Sequence, residues 1–108
     1  MVKVIVTPSA IKDAKDIFNY YEAKSSYSTA HKMLQEIIAH VRRLELMPEM
    51  GPKEPLLEIL NRNYRYVLVL RRYKLVYLYE NNICSILMVW DCRRNPKSLK
   101  SDKRFVQK

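Results

Sequence analysis

Arg65, Lys74 and the pair Arg93-Arg94 are the residues whose setting invites chemistry. Each lies in, or at the end of, a run dense in Val, Ile, Leu and Tyr: Tyr64 to Leu70, Tyr73 to Tyr79, and Ile83 to Trp90. Such residues suit a pleated, buried surface, so each run reads as a strand. Side chains alternate across a strand, which puts a cation inside the run on a sheet face and not at its rim. A cation held there is costly unless it meets water or an anion. Arginine adds geometry to charge, because its planar fork donates two parallel hydrogen bonds to a phosphate or carboxylate. The group implies recognition of something negatively charged. The plainer alternative is a set of solvated charges on an open sheet face.

The elements that must hold these residues follow from turns and periodicity. Asn81-Asn82 is a two-residue hairpin turn, since Asn tolerates positive φ. Arg71-Arg72 is placed between strands by its flanks alone. In the first strand Tyr64, Tyr66, Leu68 and Leu70 share one face, and Arg65, Val67, Val69 and Arg71 the other. In the second, Tyr73, Leu75, Tyr77 and Tyr79 oppose Lys74, Val76, Leu78 and Glu80. Upstream, Val2, Val4 and Val6 alternate in an opening strand over Met1 to Val6. Thr7 is suited to cap a helix that Pro8 begins, where no amide hydrogen is needed. Ile11, Ala14, Ile17, Phe18 and Tyr21 follow at helical spacing. Ser25 to Ser28 breaks the pattern, and one of its serines caps a second helix. The stripe of that helix is Ala30, Met33, Leu34, Ile37, Ile38, Val41 and Leu44.

Met47 to Pro55 is an irregular loop that holds the sole glycine, Gly51. Leu56 to Leu60 reads as a short strand leading into the central meander. The two helices form an antiparallel hairpin whose apolar face has only the sheet to bury against. The expected fold is α+β and two-layered, with an N-terminal strand and helical hairpin packed on an antiparallel sheet, in the order β-α-α-β-β-β-β. Tyr64, Tyr66, Tyr73 and Tyr77 share their faces with Leu and are expected to fill the core against the helices.

At 108 residues the chain is expected to form a single domain over 1–108, with a basic tail over 95–108. That length buries a core without disulfides or metal. Cys84 and Cys92 have no second pair to complete a zinc site, so no metal and no cofactor are expected. No apolar run approaches a membrane span, and no secretory signal opens the sequence; a cytoplasmic location is expected. The net charge of +9 is uneven. From Arg93 onward, Arg93, Arg94, Lys97, Lys100, Lys103, Arg104 and Lys108 face only Asp102. Such a segment attracts nucleic acid or an acidic protein.

The sequence also resembles a family. The residues that carry the likeness are Pro48-Glu49-Met50-Gly51 after a helical hairpin, Tyr64-Arg65-Tyr66, Tyr73-Lys74-Leu75-Val76-Tyr77, and Val89-Trp90-Asp91-Cys92-Arg93-Arg94-Asn95-Pro96. In this order and spacing they are similar to the RelE/ParE superfamily of toxins from type II toxin–antitoxin modules, over about Val2 to Leu99. The ribonuclease branch of that superfamily cleaves mRNA on the ribosome without metal, by attack of a 2′-hydroxyl on the adjacent phosphate. Such a reaction needs a base, cations at phosphorus and an acid. The resemblance implies Arg65, Lys74 and Arg93 as the cationic catalytic set. It implies Glu54 as the base, from the similarity of Gly51-Pro52-Lys53-Glu54-Pro55-Leu56 to one ribonuclease subgroup. Lys53, Arg71, Arg72, Arg94 and Lys97 would be further RNA and phosphate contacts.

The sequence departs from that pattern at Val67, where another subgroup has lysine, and near the C-terminus, where no aromatic acid follows Pro96. The other branch inhibits DNA gyrase and needs only a binding surface. A non-toxic basic module binding nucleic acid is the third reading. Either toxin branch implies a cognate acidic antitoxin, whose binding would cover Arg65, Lys74 and Arg93. The remaining partner is the ribosome with mRNA, or DNA gyrase. Neither a membrane nor a small-molecule substrate is implied.

Overall fold

The computed structural model describes residues 2–94, 98–99, 102 and 104–105. Strand β1 (Lys3–Val6) leads into helix α1 (Pro8–Lys24) and helix α2 (Tyr27–Leu46). A 3₁₀ helix over Pro55–Leu60 precedes strands β2 (Tyr64–Val69), β3 (Tyr73–Glu80) and β4 (Ile83–Asp91). The fold is α+β, with the helical hairpin laid on a sheet, as expected from the sequence.

Local chemistry sets the helix starts. Thr7 is extended, and its hydroxyl accepts from the Ala10 amide while Pro8 takes the first turn. Ser26 is the serine that caps α2, accepting from the Thr29 amide at 3.1 Å.

The sheet order is β1-β4-β3-β2. β2, β3 and β4 form the antiparallel meander, but β1 pairs parallel to β4, so the sheet is mixed and not wholly antiparallel. The reason is connectivity: α1 and α2 carry the chain away from β1, and the meander then brings β4 back beside it in the same direction.

The run Leu56 to Leu60 is not a strand. Glu54 accepts a hydrogen bond from the Leu56 amide, Pro55 fixes the first turn, and the segment winds as 3₁₀. The extended contact ahead of β2 falls earlier, at Lys53, which forms an isolated antiparallel bridge with Arg65.

Both faces of the sheet are covered. One packs Val67, Val69, Tyr73, Leu75, Tyr77, Ile86 and Val89 against Ala10, Met33, Ile37 and Leu44 of the helices. The other gathers Tyr64, Val76, Met88 and Trp90 under Leu57 of the 3₁₀ helix and under Leu99 and Phe105. Tyr73 and Tyr77 therefore meet the helices as expected, while Tyr64 and Tyr66 point away from them. Alternation explains this, since Tyr64 pairs with Leu78 and Tyr66 with Val76, both on the far face. Leu99 and Phe105 are buried, so this part of the basic tail folds back on the sheet. Lys97, Lys100, Lys103 and Lys108 lie outside the described residues.

A β-bulge shapes β4. Val76 pairs with Met88 but Tyr77 pairs with Ile86, so Leu87 is the extra residue. β1 ends opposite Ile86, so the edge of β4 that faces it has no strand partner beyond that point, although β3 still pairs with the other edge. Side chains complete the ladder there. The Ser9 hydroxyl donates to the Leu87 carbonyl at 3.2 Å, and Asp13 accepts from the Val89 amide at 3.0 Å. Arg104 donates both to that carbonyl and to Asp13.

The loop before the 3₁₀ helix lies against the β2 edge. Gly51 donates its amide to the buried Tyr77 hydroxyl at 3.2 Å. A Cβ on Gly51 would stand 2.1 Å from the Tyr66 carbonyl oxygen, which is backbone and has little room to yield. Gly51→Ala is expected to destabilise the protein by about 2 kcal/mol or more through overpacking. Urea unfolding monitored by tryptophan fluorescence measures it.

Candidate functional site

Arg65 and Lys74 stand on opposite faces of the sheet. Arg65 pairs across with Tyr77 and lies on the helix side, whereas Lys74 pairs with Leu68 and Trp90 on the other. Each is also engaged internally. The Arg65 guanidinium donates to the carbonyls of Gly51 at 2.7 Å and Glu49 at 3.3 Å, to Asn63, and to the Glu49 carboxylate at 3.2 Å. It is a clasp for the loop. The Lys74 ammonium donates to Glu54 at 2.9 Å and sits 4.5 Å from the centre of the Tyr66 ring.

Glu54 is the one buried charged residue among those described, with 1% of its surface exposed. Its Oε2 takes the Lys74 proton donor and its Oε1 the Leu56 amide. A carboxylate so enclosed needs its partners, because transfer from water is costly for a charge. The expected trio of Arg65, Lys74 and Arg93 is thus not one patch, and Glu54 is buried with both oxygens accepting hydrogen bonds. Lys53 is exposed, and its backbone bridges to Arg65.

A different set of cations does converge. The β2–β3 turn and the end of β4 are neighbours, because the Cys92 amide donates to the Arg72 carbonyl at 2.9 Å and Tyr73 pairs with Asp91. This brings Arg71, Arg72, Arg93 and Arg94, all exposed, to one end of the sheet. Lys97, expected to join them, lies outside the described residues. Helix α1 supplies aromatic neighbours. Arg72 donates to the Tyr21 hydroxyl, which also accepts from Tyr73. Arg94 stacks 4.2 Å above the Trp90 ring, a cation–π contact.

Arg93 is held by Asp91 through several hydrogen bonds, the shortest at 2.7 Å. A hollow of about 310 Å³ beside it is lined by Asp13, Asp16, Tyr20, Tyr73, Asp91 and Arg93.

The electrostatics follow from these contacts. The hydrogen bond from Arg93 draws the Asp91 carboxyl below its ordinary range, and Asp91 in turn raises the guanidinium. Burial raises the Tyr73 phenol, as does its hydrogen bond to Tyr21. Burial works to raise Tyr21 as well, but the bonds from Tyr73 and Arg72 and the Arg72 charge outweigh it and bring the phenol down. The arrangement offers donors and flat apolar surface.

The sequence reading gave Tyr21 only as part of the apolar stripe of α1 and did not name Tyr20, although their adjacency in the last turns of α1 was a signal. It also placed Ile11 and Phe18 in the core stripe. Ile11 is exposed, and with Phe18, Val4, Val6, Leu34 and Val41 it lines an apolar groove of about 810 Å³ between the helices and the β1 edge. Lys15, Arg42 and Glu45 are among its polar residues. Among the described residues no cluster of His, Cys, Asp or Glu could hold a metal, and no helix is long and apolar enough to cross a membrane.

The comparisons with known proteins agree with this architecture. A solved structure described as the chromosomal ParDE toxin–antitoxin system from P. aeruginosa matches with a TM-score of 0.69. At 19% identity, the alignment covers 84% of this chain and 96% of that one, and it establishes a shared fold. No curated protein sequence matches significantly. The class, shown by a family model that matches most of the chain, is that of RelE/ParE superfamily toxins. Within it, the model of the ParE toxin of type II toxin–antitoxin systems, parDE, matches residues 4–96, and the chain belongs to that family. Its family context supplies a cognate antitoxin as partner.

Lys74→Met would leave the Glu54 carboxylate buried without its counter-charge. A loss of about 3 kcal/mol is expected in chemical denaturation at neutral pH. A loss below about 1 kcal/mol would mean that water already reaches Glu54.

Proposed function

We propose that this chain is the toxin of a ParDE-type pair and that it acts by binding, with DNA gyrase as its target, and not by cutting RNA. The observation that carries the reading is the engagement of Glu54. A general base must reach the proton it removes. Glu54 is buried, and both of its oxygens already accept hydrogen bonds. Arg65, the first cation of the ribonuclease set, gives its donors to loop carbonyls. A toxin that only binds needs neither group free. It needs a surface, and the Arg71, Arg72, Arg93 and Arg94 end of the sheet supplies one. Arginine and aromatic residues are the types that dominate binding energy at protein interfaces.

The cognate antitoxin is proposed to be an acidic, amphipathic segment whose apolar side fills the groove between α1, α2 and β1. Val4, Val6, Ile11 and Phe18 give that groove its apolar lining. The net charge of +9 favours an acidic occupant. On this reading the antitoxin holds the toxin through the groove, and not by covering Arg65 and Lys74, which face opposite sides.

Purified protein is expected to inhibit gyrase supercoiling and to trap cleaved DNA, while mRNA on translating ribosomes stays intact. Cuts within translated mRNA, with gyrase unaffected, would overturn the proposal in favour of ribosome-dependent mRNA cleavage. Activity against neither, with no growth defect on expression, would favour a non-toxic basic module that binds nucleic acid.

A further inference from the structure

Two hairpin turns in this molecule each hold two consecutive residues at positive φ, but with different chemistry: the β3–β4 turn leaves two residues between the pair Glu80 and Ile83, and the β2–β3 turn three between Val69 and Tyr73. In the β3–β4 turn, Asn81 and Asn82 have φ of 54° and 60°. In the β2–β3 turn, Leu70 and Arg71 have φ of 52° and 57°, and the Arg72 amide closes the turn on the Val69 carbonyl at 3.1 Å. Two consecutive left-handed residues make a mirror-image turn in either loop, and Asn or Gly adopts that conformation with least strain. Leucine and arginine are poor choices, because their Cβ crowds the backbone there. Neither side chain is buried in the core, since Leu70 is 51% exposed and Arg71 and Arg72 are exposed beside it. Strain kept at an exposed tip points to a use for the side chains that cause it.

We propose that the Leu70-Arg71-Arg72 tip is the docking point for the toxin's protein target. The partner it fits is an acidic protein surface whose carboxylates ring a small apolar pocket: Leu70 enters the pocket, and Arg71 and Arg72 pair with the rim. The surroundings favour protein over nucleic acid. An exposed apolar side chain stands at the point of closest approach, with Leu68 also 47% exposed on the same strand. Arg72 is already oriented by Tyr21, so little side-chain freedom remains to be lost on binding. This inference rests on the reading of the chain as a toxin that works by binding, and it identifies the residues that make the contact.

The test exchanges the two turns. Leu70→Asn with Arg71→Gly should raise Tm by about 3 °C or more, since the strain is relieved, and should abolish growth arrest on induced expression. Asn81→Leu with Asn82→Arg should lower Tm by a similar amount and leave arrest intact. Fluorescence anisotropy with a short DNA duplex should give the same affinity for wild type and the tip variant. Growth arrest retained by the tip variant would overturn the docking role, and a fall in its Tm would overturn the strain argument. A loss of duplex affinity that parallels the loss of arrest would also overturn the proposal, in favour of a phosphate contact. Arrest in cells does not depend on which protein is struck, so failure of the gyrase assay with these results intact would count against the gyrase reading alone.

Discussion

A carboxylate with almost no access to water organises the surface where catalysis was expected. Glu54 is held by one ammonium at 2.9 Å, and that ammonium belongs to Lys74 at the middle of the sheet. The pair fixes where the loop ends and where the 3₁₀ helix begins, because Glu54 also caps its first turn. Upstream of the pair, Arg65 grips the carbonyls of Glu49 and Gly51, and Gly51 packs too close to Tyr66 to carry a side chain. Downstream, the 3₁₀ helix sets Leu57 into the second core. Cations that look like a phosphate site in sequence thus act as fasteners between the loop and the sheet. Buried pairs of this kind contribute little net stability over an apolar pair, but removing one member alone is costly.

The proposed binding surface lies instead at the end of the sheet. With Arg65 and Lys74 engaged on opposite faces, Arg71, Arg72, Arg93 and Arg94 form a group of exposed arginines at the end of the sheet. They are held by the hairpin turn, by the end of β4 and by the tyrosines of α1. The groove between the helices and β1 lies in another part of the fold, lined by residues that share none of these cations. On the proposed reading, antitoxin and target address different surfaces of one small protein.

Much of the fold was legible. Thr7-Pro8, the serine break, the two amphipathic stripes and the Asn81-Asn82 turn each carry a local signal, and each element formed where that signal lies. Leu56 to Leu60 was misread because a short apolar run has no period of its own; Pro55 and the Glu54 side chain decided its winding. The failure at the site has a different cause. Alternation within each strand was readable, but which face of β2 meets which face of β3 depends on register, and register is set by a turn. The turn here is Leu70-Arg71, which lacks the residues that normally announce one. Arg65 and Lys74 could not be assigned to opposite faces without it. The second core escaped notice because Leu99 and Phe105 sit within a segment whose composition is dominated by charge.

The central claim is that the Glu54–Lys74 pair is structural and takes no part in toxicity. The most direct measurement replaces both members together, Glu54→Leu with Lys74→Met, and follows growth after induced expression alongside the unfolding curve of the purified variant. An apolar pair of similar volume should keep stability within about 2 kcal/mol of wild type, and growth arrest should persist at full strength. A variant that folds with the same cooperativity but no longer arrests growth would contradict the account and return Glu54 and Lys74 to a catalytic role.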